Sequence, residues 1–338
     1  MTGKVCCDIS SGDRFEMGSF LELDLKKTGE YFADDNNTAR LNSGRSGIYH
    51  ALRLLNCTKI YLPYYLCPDV KDFLKRKSIR ISYYNISEDF EPILDRTEKK
   101  SAILIVNHYG ILSERKLISI SEPYRNVIID NCASFYSRIL PGCYNIYSCR
   151  KFFGVPDGCY VCGPDAGTRF CDYPLDQSSD TSLFLLMRIE KGCSLTYHER
   201  MKNEERINNS DVFNMSVLTR SIMCSLDYEC LRKKRSDNFR HASSLYNPYN
   251  QIDTTRYIDD DTVPLFYPLV IRDTELVEKL RHYNIYTGRR WTDVLSEVNT
   301  DSFEALLSSY MVPLPIDQRY GGKELNYCFD IFRKVVKI

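Results

Sequence analysis

Net charge is the first thing this 338-residue chain lacks: 45 Lys+Arg stand against 45 Asp+Glu, with a sequence pI near 6.9. No whole-chain field exists to hold nucleic acid or an anionic membrane. Long apolar runs are missing too, and nothing approaches the ~20 residues a membrane span needs. Histidine is scarce, and His50, His108, His198, His241 and His282 form no pair at metal-ligand spacing, so no metal site is expected. Trp291 is the single tryptophan. There is no internal repeat and no low-complexity tract, which excludes solenoid and disordered readings. The first 19 residues carry Asp8, Asp13, Arg14 and Glu16 in place of the apolar segment of a secretory signal. A cytoplasmic protein follows as an expectation, with its 14 cysteines mostly reduced and packed as small hydrophobes.

What is present is enough apolar material, 43% of the residues, for one large domain or two unequal ones. Between residues 40 and 165 short apolar runs alternate with stretches of helical spacing, the pattern of β-α-β units and a largely parallel sheet. The expected strands are Lys59–Leu62, Ile79–Tyr84, Ala102–Asn107, Asn126–Asp130, Tyr144–Ser148 and Gly158–Cys162. The expected helices are Gly44–Leu55, Pro68–Lys77 and Leu112–Ser121. The middle third reads as helical over Thr181–Lys191, Tyr197–Asn208 and Ser216–Arg235. Strand signal returns at Leu265–Ile271, then a helix over Thr274–His282, a short run Asn284–Tyr286 and a last helix over Lys323–Val336, which suits a small C-terminal α+β domain. The polar stretch Asn247–Asp261 is the nearest thing to a linker.

Three segments could carry chemistry. Asn42-Ser43-Gly44-Arg45-Ser46-Gly47 is a small-residue turn opening a helix, whose free amides suit a phosphate; taken by itself, the motif favours an ordinary N-cap by Ser43. Val127-Ile128-Ile129-Asp130 is a buried-strand run ending in a carboxylate, at the sheet edge where open α/β folds bind ligands. Such a carboxylate needs a partner, for which a protonated heteroaromatic nitrogen would serve, unless it is a solvated turn cap. Tyr147-Ser148-Cys149-Arg150-Lys151-Phe152-Phe153 ends another strand in a lysine beside aromatics. An apolar pocket beside cations would suit that amine as an imine-forming nucleophile, whereas the bland alternative is a solvent-facing Arg-Lys pair. Phosphate cradle, strand-end aspartate and strand-end lysine, in that order, are the three contacts pyridoxal phosphate requires.

With Ile48-Tyr49-His50-Ala51-Leu52, Leu62-Pro63-Tyr64-Tyr65-Leu66-Cys67-Pro68 and Val106-Asn107-His108-Tyr109-Gly110 added to these, the chain resembles the DegT/StrS-type sugar aminotransferases, a branch of the fold-type I pyridoxal phosphate enzymes. The likeness extends to Met17–Leu23 and Leu314–Tyr320. The resemblance implies an α/β fold with a mostly parallel mixed sheet in a large cofactor-binding domain, residues 1–245 with an N-terminal arm, and a smaller C-terminal α+β domain, residues 246–338. It implies that Lys151 bonds the cofactor aldehyde and serves as general base, and that Asp130 pairs with the pyridine nitrogen. Gly44, Arg45 and Ser46 would contact the phosphate, Tyr65 (or Tyr64) would stack on the ring, and Ser148 is the candidate phosphate hydroxyl. A homodimer with the cofactor at its interface is implied as well. The activity it implies is transfer of an amino group from a donor such as glutamate to a nucleotide-linked keto-sugar in cell-surface polysaccharide biosynthesis.

Two departures stand out. Family members place the phosphate serine five residues before the lysine, and here Ser148 precedes Lys151 by three; a glutamine usual three residues after the aspartate is Ala133 here. These departures motivate a rival reading, a non-catalytic relative acting as scaffold or binding protein in glycan assembly, and behind it a cofactor enzyme with a different reaction, such as sugar dehydration. Among other constellations, Cys159-Tyr160-Val161-Cys162 has zinc-like spacing but sits in an expected strand, which sends the two sulfurs to opposite faces. The run Arg232-Lys233-Lys234-Arg235 reads as a solvated helix face or a phosphate contact. Arg289-Arg290-Trp291 would serve an anionic substrate or pin the small domain to the large one.

Overall fold

A computed structural model describes residues 17–169 and 172–337; the N-terminal run read above up to residue 16, with Cys6 and Cys7, and Cys171 lie outside the described residues. Eight strands form one sheet: β1 (Thr38–Leu41), β2 (Lys59–Pro63), β3 (Arg80–Ile86), β4 (Pro92–Ile93), β5 (Ala102–Val106), β6 (Val127–Asp130), β7 (Tyr144–Ser148) and β8 (Cys159–Cys162), in the order β1-β8-β7-β6-β5-β2-β3-β4. The five central strands, from β7 to β3, run parallel, while β8, β1 and β4 are antiparallel to their neighbours.

Residue alternation sorts the two faces of this sheet. Ala102, Leu104 and Val106 of β5 and Ile128 of β6 pack with Ile48, Ala51 and Leu52 of helix α1 (Gly44–Leu54) in one apolar cluster. Ile103, Ile105, Val127 and Ile129 point the other way into a second cluster. By the same period of two, Asp130 and Ser148 fall on the face that α1 covers. Helices α2 (Pro68–Arg76) and α3 (Glu114–Ser121) complete the first half.

After β8 the chain turns helical, with α4 (Leu183–Lys191), α5 (Tyr197–Asn209), α6 (Val217–Met223) and α7 (Tyr228–Tyr246). The continuous helix expected from Ser216 is two helices, because Asp227 caps a fresh start by accepting from the Cys230 amide at 3.0 Å. The C-terminal part contains α8 (Leu276–Arg281), α9 (Phe303–Tyr310), α10 (Gly322–Val336) and a two-stranded ribbon of β9 (Tyr267–Val270) and β10 (Met311–Leu314). Asn284–Tyr286 is not a strand; β9 pairs instead with β10, where Pro313 faces Pro268. Residues of β9, β10, α8 and α10 share the cluster that receives Ile103, Ile105, Val127 and Ile129.

The stretch read as a linker is anchored. Asp261 pairs with Arg232 and with Arg138, each at 2.6 Å, and Asp260 with Arg240 at 3.3 Å. Arg232 of the basic run on α7 and the later Arg240 therefore meet the acidic turn. No helix among the described residues is long and apolar enough to cross a membrane. The described cysteines are free thiols.

Candidate active site

The carboxyl ends of β6 and β7 meet the amino end of α1. Asp130, the last residue of β6, is 7% exposed, and its Oδ1 accepts from the Cys132 amide at 2.9 Å. That turn brings Cys132 against α1: a β-carbon added at Gly44 would stand 2.7 Å from Cys132 Sγ, so a larger residue there would make the thiol or the helix start shift. Ser43 caps the helix, taking the Ser46 amide at 3.4 Å, and the Gly47 amide bonds the Ser43 carbonyl. The N–H groups of Gly44 and Arg45 precede the helical ladder and carry its positive dipole end.

The side chains of this turn lead elsewhere. Ser46 Oγ donates to Asn42 Oδ1 at 2.7 Å and lies 2.9 Å from Ser43 Oγ. Arg45 Nη2 donates to the Ile207 carbonyl at 2.5 Å and to Asn208 Oδ1 at 3.1 Å, tying α1 to the end of α5, while its Nε is buried without a partner. Of the phosphate contacts expected from Gly44, Arg45 and Ser46, the backbone is at the edge and the two side chains are committed to other partners.

Lys151 follows β7 in a tight turn, where the Cys149 carbonyl accepts the amides of Phe152 and Phe153. Both aromatics are buried in a third cluster with Phe135, Tyr147 and Tyr160, so the turn is pinned from behind. Lys151 itself is exposed, a departure from the apolar pocket expected around it, and its side chain makes no ion pair or hydrogen bond among the described residues. Burial pushes the Cys132 thiol far up, Asp130 pushes it further, and Lys151 pulls against both. At Cys67, burial and Asp69 raise the thiol while Lys151 opposes them. Cys149, in contrast, packs in the third cluster. Ser148 is nearly buried opposite Cys159.

Tyr65 is fully buried in the cluster on the far face. Its hydroxyl accepts from Tyr109 at 2.9 Å, and Trp291 stands edge-on 4.6 Å away, so the tryptophan joins the C-terminal part to the sheet. Tyr64 stacks on Tyr83 at 5.1 Å. Cys67 is the residue of this loop that shares a field with Lys151. The structure thus brings Gly44, Asp130, Ser148 and Lys151 to one edge and directs the side chains of Arg45, Ser46 and Tyr65 into other contacts.

Sequence reasoning missed two carboxylates near the site. Arg150 pairs with Glu204 of α5 at 2.6 Å. Arg290, singled out in the sequence, has its guanidinium lowered by burial, with Tyr65 and Cys67 opposing that pull. Asp157, fully buried, accepts from the Ser216 amide at 2.8 Å, from Ser216 Oγ at 2.6 Å and from Thr219 Oγ1, and so caps α6 against the Lys151 loop. Burial raises this carboxyl above its ordinary range despite those donors. Cys159 and Cys162 lie in different clusters, and no group of three metal-ligating side chains occurs among the described residues.

By sequence the chain matches no family model and no curated protein. By structure it is similar to the sugar aminotransferase CalS13 from Micromonospora echinospora, with a TM-score of 0.60 and 15% identity over 88% of this chain and 87% of that one. It is similar to NtdA from Bacillus subtilis, solved with bound cofactor PMP, with a TM-score of 0.60 and 13% identity over 89% and 73% of the two chains. A DegT DnrJ EryC1 StrS aminotransferase from Brucella abortus gives a TM-score of 0.56 and 11% identity over 88% and 85%. The strand order, the helix start at the sheet edge and these likenesses agree: the chain has the fold-type I architecture of the pyridoxal-phosphate aminotransferases.

Proposed function

We propose that this chain is a pyridoxal-phosphate-dependent sugar aminotransferase. The observation that carries the reading is the placement of Asp130 at the end of β6, in the turn that brings Cys132 against the amino end of α1, with Lys151 just past the end of the neighbouring β7. Three features fit the cofactor. The Gly44 and Arg45 amides, at the positive end of a helix dipole, suit its phosphate. Asp130 gives one oxygen to the Cys132 amide and keeps another acceptor for a ring N–H. Lys151 is held on a rigid turn with its amine uncommitted.

Bound pyridoxal phosphate supplies the electron sink for the carbon that loses a proton. The chain supplies the rest. Asp130 holds a proton at the ring nitrogen through a charge-assisted hydrogen bond. Lys151 Nζ is the general base that takes the proton from the substrate carbon and returns it. Gly44 and the first turn of α1 fix the phosphate end. With Ala133 three residues after Asp130, the chain would offer no glutamine amide to the cofactor's 3-hydroxyl.

The reading extends to a nucleotide-linked keto-sugar as acceptor and an amino acid such as glutamate as donor, in cell-surface polysaccharide synthesis in the cytoplasm. Arg150, Arg200 and Arg290 around the site suit anionic substrate groups. It extends also to a large unit, 1–245, carrying the cofactor, a smaller one, 246–338, and a homodimer. For the dimer, the support is the bare apolar face of α4 beside the Lys151 loop, where Leu185 lies 3.7 Å from a β-carbon placed on Gly154. A second reading, a non-catalytic relative in glycan assembly, draws on the committed side chains of Arg45 and Ser46 together with Ala133.

The test is the visible spectrum of the protein with pyridoxal phosphate before and after borohydride, with the reduced adduct mapped by peptide mass spectrometry. The expected result is a single adduct on Lys151 that disappears in Lys151→Ala. A protein that forms no reducible adduct leaves the non-catalytic reading in its place.

A further inference from the structure

Arg235 is the oddest charge in the molecule. It sits on α7, 2% exposed, with no carboxylate within ion-pair distance among the described residues. Burial pulls its guanidinium down to about 10, with Asp317 acting against that pull. A buried cation without a counter-ion is costly, and an apolar side chain of similar volume would fill the site at less expense. Its donors all go to neutral oxygens. Nε reaches Gln318 Oε1 at 2.6 Å, Nη1 the Leu265 carbonyl at 3.3 Å and Nη2 the Phe152 carbonyl at 3.3 Å, with the guanidinium 4.5 Å above the Phe152 ring. Gln318 gives its own Nε2 to the same Phe152 carbonyl at 2.9 Å. One turn along α7, Asn238 Nδ2 binds the carbonyls of Ile316, Asp317 and Tyr320, each at 3.1 Å, and so fixes the segment that carries Gln318.

Two side chains from distant parts of the chain therefore converge on a single backbone oxygen, and that oxygen belongs to the residue after Lys151. We infer that Arg235 and Gln318 are positioning residues, a clamp on the Phe152 carbonyl that sets the orientation of the Lys151 turn from behind. The inference rests on the reading of Lys151 as the cofactor-bonding lysine. The Cys149 carbonyl holds the turn from its amide side, through Phe152 and Phe153, and the clamp holds it from its carbonyl side. Arg235 lies on α7, which packs on β9, and Gln318 lies in the segment that follows β10, so both members are tied to the C-terminal ribbon.

Gln318→Glu separates positioning from stability. A glutamate there gives Arg235 the counter-ion it lacks, so the fold is held, while it replaces the donor to Phe152 with an acceptor that repels that carbonyl. The expected result is a melting temperature at or above that of the parent, with the Kd for pyridoxal phosphate raised about tenfold and a changed pH dependence of the Lys151 adduct spectrum, since a displacement of ~1 Å at a reacting group costs up to ~100-fold. Arg235→Met should give the same loss of affinity with little loss of stability. Gln318→Glu with parental affinity and spectrum overturns the clamp. Should the parent itself form no adduct on Lys151, the cofactor reading fails separately, and the clamp is then read in the unliganded chain by hydrogen exchange. Faster exchange confined to the Phe152 and Phe153 amides in Gln318→Glu supports it, and unchanged exchange there removes it.

Discussion

The edge that carries Asp130 and the α4–α5 hairpin beside it are built on opposite terms. At the edge β6 and β7 are covered on both faces, the turn after Asp130 is closed by its own side chain, and the Gly44 start of α1 sits tight against Cys132. The hairpin buries almost nothing: α4 has no buried residue, and α5 has only Asn203 and Ile207. Leu183, Leu186, Ile189, Leu195, Tyr197 and Met201 all face solvent, Ile189 at 84% exposure. One region owes its shape to the interior of this chain. The other presents an apolar surface that nothing among the described residues covers, and apolar surface gathered in one place is what association surfaces are made of.

The comparison can be broken most sharply at Gly44. Gly44→Ala places a methyl against Cys132 Sγ and should cost about 1–3 kcal/mol, the usual price of overpacking. Removing the sulfur with Cys132→Ala in the same chain should return part of that loss. Thermal melts of the two single variants and the pair measure the coupling, and simple additivity would show that helix and aspartate turn do not press on each other.

Acid should act on the edge as well. His108, just past β5, is buried with its Nδ1 unpartnered, and burial takes its imidazole down to about 3. The unfolded chain binds that proton near pH 6.5 and the folded chain refuses it, so the stability this group contributes is complete above ~6.5 and drains as pH falls toward the folded value, by at most ~1.4 kcal/mol per unit. His50 is shifted the same way by burial. Urea midpoints at pH 7, 5.5 and 4.5 should fall more steeply in the parent than in His108→Phe, and parallel slopes would contradict this.

The smallest effect on stability is expected on the hairpin. Leu186→Asp should change the unfolding free energy by no more than ~0.5 kcal/mol, because the side chain is already exposed. Its effect should appear in sedimentation as a shift from dimer to monomer. An unchanged sedimentation coefficient would leave α4 an exposed helix and move any dimer contact elsewhere.

The parallel strands were legible because β2, β5 and β6 are apolar at both alternating positions, as strands covered on two faces must be. The placement of Asp130 at the end of β6 and of Lys151 just past the end of β7 was legible because both close apolar strand runs. β10 was not, since Pro313 interrupts the strand signal. Side-chain destinations were least legible. Arg45 and Ser46 sit at a turn whose sequence suits a phosphate, yet whether a side chain faces the ligand or returns to the protein depends on α5 and Asn42, far away or behind. Tyr65 needed the far face of the sheet to be known. Arg235 was hidden in a basic run, although its period with Asn238, Phe239, Ala242 and Tyr246 marks the inward side of α7.

The pairing of Pro268 with Pro313 reaches beyond the ribbon itself. Neither residue can donate to the other, so they meet at a site between ladder hydrogen bonds, with their nitrogens and carbonyls turned outward. The Pro313 carbonyl is taken by Thr287 Oγ1 at 2.6 Å and the Pro268 carbonyl by Asn250 Nδ2 at 2.8 Å. Midway along each margin, then, an arriving strand finds no donor and an acceptor already in use. A two-stranded ribbon is mostly margin, and in the folded chain this one offers little for an arriving strand to pair with at its proline positions.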